Sequence, residues 1–118
     1  MNQKLQDEII EVVRLITIEK RLGKTSITKE DADFVKALAD KKRYPRAEYV
    51  MGMMYLKGIG VDRHKEQGIQ YLLKSSEHAS YDVQLKVAYV FHVLGEFKHI
   101  PLCLERAIED SKYFKNIY

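Results

Sequence analysis

The stretch AEYVMGMMYLKGIGVDRHKEQGIQYLLKSSEHA, from Ala47 to Ala79, decides the fold. Pro45, just before it, suits the first turn of a helix, where a missing N–H leaves nothing unsatisfied. Ala47, Val50, Met51, Met54 and Tyr55 then recur at spacings of three and four, which makes one apolar helical stripe. Gly58 and Gly60 end that helix, because glycine takes the left-handed C-cap conformation without a Cβ clash. Asp62 is the expected N-cap of a second helix. That helix carries Ile69, Leu72, Leu73 and Ser76 on one side, with Tyr71 close by. Gly52 lies inside the first stripe. A mid-helix glycine costs about 1 kcal/mol against alanine, so another helix is expected to cross closely there. Gly68, inside the second helix, has no comparable explanation from its neighbours in sequence.

These residues resemble the Sel-one-like repeat, a relative of the tetratricopeptide repeat. Ala47, Met51, Gly52, Tyr55, Gly58, Gly60 and Val61 fill the first half of its pattern. The second half is looser: His64 stands for an acid, Gly68 for Ala, Tyr71 for Trp, and Ser75-Ser76 for a pair of small residues. A repeat should match itself along the chain. A shift of 36 residues lays Ala47 on Val83, Met51 on Val87, Gly52 on Ala88 and Tyr55 on Phe91, like on like. The turn is degraded on the same shift, with Gly95 offset by one. The resemblance covers roughly residues 28 to 115 and is close at 45 to 79.

Outward from this unit the chain reads as further helices. Leu5, Ile9, Val12, Val13, Ile16 and Leu22 make the stripe of a long first helix, from about Lys4 to Leu22, that stops at Gly23 and caps the stack. Thr28 and Asp31 have the form of a capping box, opening a helix with Ala32, Val35, Leu38 and Ala39 inward. Lys41-Lys42-Arg43 close it, complementing the negative end of its dipole. Ser80 is the expected N-cap of a helix holding Val83, Val87, Ala88, Val90, Phe91 and Leu94, ended by Gly95. Pro101 opens a last helix with Leu102, Leu104, Ala107 and Ile108 as its apolar side. The aromatic tail KYFKNIY is expected to pack or to fill a groove. The expectation is all-α: an α/α right-handed solenoid of about six antiparallel helices, one domain over residues 1–118. Residues 1–44 form a divergent helical pair, 45–79 the well-formed repeat, and 80–118 a degenerate repeat with the C-terminal helix.

Composition narrows the class of function. The chain has 118 residues, enough for one domain with a modest core. Twenty basic against 17 acidic residues leave +3, too balanced to indicate a nucleic-acid binder on charge alone. Cys103 is the only cysteine, so no intrachain disulfide exists and a reducing compartment fits. Acids in MNQKLQDEIIEVV are out of place in a signal peptide. No apolar run approaches the roughly 18 residues of a membrane span. A soluble cytoplasmic protein is expected.

Motifs for chemistry are missing. His64, His78, His92 and His99 form no pair at helical ligand spacing, and one cysteine makes no thiolate cluster, so no metal and no cofactor is expected. Cys103, between Leu102 and Leu104, reads as a buried apolar residue, and His78 as a surface residue. No strand precedes Gly58 and Gly60, which excludes a nucleotide fingerprint. The chain is expected not to be an enzyme. The basic residues Lys20, Arg21, Lys24, Lys41, Lys42, Arg43 and Arg46 read as solvated helix ends, interleaved with Asp31, Asp33, Asp40 and Glu48. Nucleic-acid binding through them is the second reading.

The resemblance implies binding of a protein. In tetratricopeptide units the first helix of each pair lines the concave face, and Gly52 sets the alignment. Arg46, Tyr49, Met53, Leu56 and Lys57 then fall on that face, and the 36-residue shift adds Asp82, Leu85, Tyr89, His92 and Val93. Aromatic, Met and Arg side chains are enriched in interfaces. Tyr55 and Tyr71 match core positions instead. Small stand-alone members resemble bacterial partners of single targets, so the expected partner is a protein such as a toxin or a secreted effector, held by an immunity-type inhibitor or a dedicated chaperone. Two or so repeats leave apolar ends, and a homodimer is expected through the C-terminal pair.

Overall fold

The computed structural model describes the backbone of residues 2–115 and the side chains of residues 2–109. It is all-helical: α1 (Gln3–Arg21), α2 (Lys29–Asp40), α3 (Pro45–Lys57), α4 (Lys65–His78), α5 (Tyr81–Leu94), a 3-10 turn (Phe97–His99) and α6 (Ile100–Lys115). Each helix from α2 onward packs on its neighbours in sequence, and α3 also reaches α5, as in an α/α solenoid.

The helical pair at the centre forms as its sequence dictates. Pro45 is in the first turn of α3, and Gly58 ends it in the left-handed conformation at φ 69°. The Gly58 and Ile59 N–H groups both donate to the Met54 carbonyl, at 2.8 and 3.0 Å. Gly52 and Gly68 explain each other. A Cβ on Gly52 would lie 3.0 Å from the Gly68 carbonyl oxygen, and one on Gly68 would lie 3.0 Å from the Gly52 carbonyl oxygen. Helices α3 and α4 therefore touch backbone to backbone, with no room for a methyl on either side. The Ser75 hydroxyl donates to the Pro45 carbonyl at 2.7 Å and fixes the other end of the same crossing.

This pair divides the core in two. On one side Leu15, Ile18, Val35, Leu38, Val50, Met51, Met54 and Tyr71 pack together. On the other, Ile69 and Leu72 meet Val83, Val87, Phe91 and Cys103. Tyr71 stacks on Tyr55 at 5.8 Å between ring centres. Its hydroxyl donates to Asp40 Oδ1 at 2.7 Å, which ties α4 to the end of α2.

Several expectations are corrected. The N-cap of α4 is His64, not Asp62: its Nδ1 accepts from the Gln67 N–H at 3.1 Å. The loop runs two residues further because the His64 N–H must reach the Tyr55 carbonyl, 2.9 Å away. In α1 the inward residues are Leu15 and Ile18, whereas Leu5, Ile9, Val12 and Val13 are exposed. The helix has two apolar faces, and only the one toward α2 and α3 is covered. In α6 the buried residues are Cys103 and Ala107, while Leu102, Leu104 and Ile108 face outward. Small side chains occupy that crossing. Ser80 does stand at the N-cap of α5, but its hydroxyl donates to Asp82 Oδ1 rather than capping the backbone. The capping box of Thr28 and Asp31 is formed as expected. Side chains of the KYFKNIY tail lie outside the described residues.

Candidate functional site

The concave-face residues expected from sequence come from α3 and α5, which lie side by side. The structure sorts them into two groups along that face.

The first group is a charged ladder. Arg46 Nη1 donates to Glu19 Oε1 at 3.0 Å, and Lys86 Nζ donates to Glu19 Oε2 at 3.1 Å. Arg46 Nη2 also reaches Asp82 Oδ2 at 3.4 Å. One carboxylate on α1 thus joins α3 to α5. Lys86 lies 5.8 Å above the Tyr49 ring. Burial, then the Glu19 charge, pushes the Tyr49 hydroxyl above its ordinary pKa. The Ser80 hydroxyl holds the Asp82 carboxyl below its own. Arg46, Tyr49 and Asp82 are therefore occupied within the molecule. Sequence reasoning missed Glu19 and Lys86, because neither stands near its partners in the chain and no local pattern marks a tertiary ion pair.

The second group is apolar. Met53, Leu56 and Lys57 of α3 face Tyr89, Val90, Val93 and Leu94 of α5 across a cleft of about 310 Å³. Five of the ten residues expected on the concave face, Met53, Leu56, Lys57, Tyr89 and Val93, meet here. Tyr89 is 68 % and Val93 65 % exposed, the two highest values among the exposed large hydrophobic side chains described. Lys57 supplies the one charge in the lining and has no acidic partner among the described residues. Leu85 is exposed on α5 beyond the cleft lining. His92 turns to the Phe97 ring, 5.7 Å away, and does not line the cleft.

Four of the seven basic residues at the helix ends are committed elsewhere. Arg21 pairs with Asp31, Lys42 with Glu11, Arg43 with Glu48 and Arg46 with Glu19. Lys41 is the C-cap of α2, its N–H donating to the Ala37 carbonyl, and Lys42 and Arg43 follow it directly. They belong to the α2–α3 link, where Arg43 adopts φ 55°. Glu48, expected at a solvated helix end, is fully buried. It accepts from Arg43 Nε at 2.8 Å, and its other oxygen is 2.8 Å from His78 Nε2. His78 is an exposed residue in the last turn of α4, as expected, and also the partner of this buried carboxylate.

A wider depression lined by Lys29, Asp33, Tyr55, Asp62, Arg63 and His64 lies at the α3–α4 loop, with its charges mixed in sign. Among the described residues no group of three His, Cys, Asp or Glu is placed to hold a metal ion. Burial raises the Cys103 thiol above its ordinary pKa, which disfavours a thiolate there. None of the described helices is long and apolar enough to cross a membrane. No protein-family model matches the chain, and no curated protein or solved structure matches it.

Proposed function

We propose that this chain is a non-enzymatic protein-binding module of the Sel-one-like type, and that the α3–α5 cleft holds an apolar segment of its partner. The observation that carries the reading is the cleft itself: six apolar side chains and one lysine, two of them large and mostly exposed. A few well-packed, fully desolvated residues, tyrosines prominent among them, carry most of the binding energy of protein interfaces. Met53 adds adaptability, since its unbranched side chain fills irregular gaps. The ladder of Glu19, Arg46, Lys86 and Asp82 supports this division of labour, because it holds the two walls at a fixed separation and leaves their apolar half open.

Within this reading the partner is a single protein in the cytoplasm, a toxin or an effector awaiting secretion, and the module inhibits or chaperones it. Nucleic-acid binding is the weaker reading, since four of the seven basic residues at the helix ends are paired with acids.

Affinity capture of the native protein with identification of a stoichiometric partner tests the proposal. Tyr89→Ala/Val93→Ala should lose that partner, and Leu104→Ala, on the outer side of α6, should keep it. Undiminished capture by the folded double variant would refute the cleft as the binding site.

A further inference from the structure

The α3–α5 cleft has a shape and a polarity that narrow what can fill it. Arg46 meets Asp82 at the start of the two helices, and Met53, Leu56 and Lys57 meet Tyr89, Val93 and Leu94 toward their ends, so the walls run parallel. The lined part of α5, Tyr89 to Leu94, is about 8 Å long at 1.5 Å per residue. That is about one and a half helical turns, room for two side chains one turn apart on an incoming helix. The described part of α6 leads away from it. His99, just before α6, packs on Phe91, and Arg106 already donates to Ser76 Oγ, whose residue Gln84 also holds near the start of α5.

The lining decides the backbone form of the occupant. Its side chains offer two polar groups, the Tyr89 hydroxyl and the Lys57 ammonium, among apolar ones. An extended segment laid there would lose water from its N–H and C=O groups and find too few partners for them, a loss at each unpaired group. A helix brings its backbone hydrogen bonds with it.

Charge decides the rest. Lys57 carries the one charge in the lining. Its Nζ lies beside Gly23, 3.9 Å from where a Cβ would stand, and Lys24 follows in the chain. Both lysines are exposed, and neither has an acidic partner among the described residues. The other half of the same face shows what such cations take: Arg46 and Lys86 hold the Glu19 carboxylate, which a helix, α1, presents to them. An incoming lysine or arginine would meet like charge at Lys57, whereas an aspartate or glutamate repeats the Glu19 pattern.

We infer that the cleft takes an amphipathic helix of the partner protein, with two large apolar anchors one turn apart and a carboxylate that pairs with Lys57. The inference rests on the reading of the cleft as a protein-binding surface and names the chemistry of the segment bound. The anchors supply the affinity. The ion pair is exposed and changes it by up to about 5-fold, so its work is to set the register and direction of the helix.

A display library of helix-forming peptides, randomised along one face, tests this by selection on the wild-type chain, with Tyr89→Ala/Val93→Ala as counter-selection. Both positions are exposed, so the counter-variant should keep its helix content and melting temperature. The expected consensus is two large apolar residues three or four apart, with Asp or Glu within a turn of them. By fluorescence anisotropy a selected peptide should lose at least ~10-fold against Tyr89→Ala/Val93→Ala. It should lose roughly 2- to 10-fold on wild type when its acid is changed to lysine. Lys57→Glu should reverse that preference. A consensus without the acid, an extended consensus, or no sequence that depends on Tyr89 and Val93 would overturn the inference. So would an acid preference that persists in Lys57→Glu, or a wild-type dimer that Val93→Glu breaks, which places a second copy in the cleft. The proposed function is decided separately, by partner capture: a partner lost by Tyr89→Ala/Val93→Ala but kept by Lys57→Glu upholds the cleft and refutes the acidic helix alone.

Discussion

Replacing Gly52 by alanine adds one methyl group at the place where α3 and α4 touch. In an open helix that change stabilises by about 1 kcal/mol through propensity. Here the new Cβ would lie 3.0 Å from the Gly68 carbonyl oxygen and 3.0 Å from Leu72 Cγ and Cδ2. The oxygen belongs to a hydrogen-bonded helix and Leu72 is fully buried, so neither yields cheaply. Overpacking costs about 1–3 kcal/mol; contact with two unyielding partners places this case at about 2–3 kcal/mol, so the net loss is roughly 1–2 kcal/mol once the propensity gain of about 1 kcal/mol is set against it. With an unfolding entropy of about 2.1 cal/mol/K per residue, the melting temperature should fall by roughly 4–8 °C. Far-ultraviolet circular dichroism on heating measures it. An unchanged or higher melting temperature would refute the backbone-to-backbone crossing. Gly68→Ala extends the test. Its Cβ would fall 2.7 Å from Leu56 Cγ. Leu56 is half-buried and can turn, so this variant should destabilise less, yet it should weaken binding in the cleft that Leu56 lines.

Further outcomes follow from other buried groups. Glu48→Ala should cost about 3 kcal/mol in urea unfolding, the lower end for breaking a buried ion pair, because Arg43 and His78 are partly exposed and regain water. Acid should destabilise through Asp31 and Asp40. Burial raises both carboxyls, but hydrogen bonds from Thr28, Arg14 and Arg21 to Asp31, and from Lys36 and Tyr71 to Asp40, outweigh it and hold both below the ordinary value of 3.8. Their contribution is complete above that value and is lost as pH falls through the folded values. Asp31→Asn should therefore flatten part of the acid limb of a stability-against-pH curve. Tyr71 works in the other direction: burial and Asp40 raise its hydroxyl, so its contribution holds below the ordinary value of 10.0 and is lost as pH climbs through the folded value. Cys103 should react with a thiol reagent only at the rate at which the fold opens, since it is buried and its pKa is raised. Rapid stoichiometric labelling of native protein would contradict its placement.

What could be read from sequence depended on whether a residue's partner lay close in the chain. The α3–α4 unit was legible because its glycine turn, its proline and its three-four spacing are all local. Gly68 was not, since its explanation is the carbonyl of Gly52 on another helix. For α1 the period was right and the face wrong: spacing identifies an apolar stripe but cannot say which of two stripes another helix will cover. The Cys103–Ala107 face of α6 was overlooked because hydrophobicity drew the eye to Leu102, Leu104 and Ile108, while a close crossing selects small residues. At the site, alignment to the repeat brought Met53, Lys57 and Tyr89 to one cleft. It could not show that Arg46 pairs with both Asp82 and Glu19.

That Glu19 carboxylate has a consequence for how the molecule responds to its solvent. It links three successive helices of one face, so it helps to set the curvature of the stack. Ion pairs of partly exposed groups weaken as salt screens them, whereas salts excluded from protein surfaces strengthen apolar contacts. A cleft with apolar walls should by itself grip more firmly as salt rises. Where the grip proposed for it instead slackens as salt rises, by more than a Lys57 pair accounts for, the lost element is the brace and not the wall.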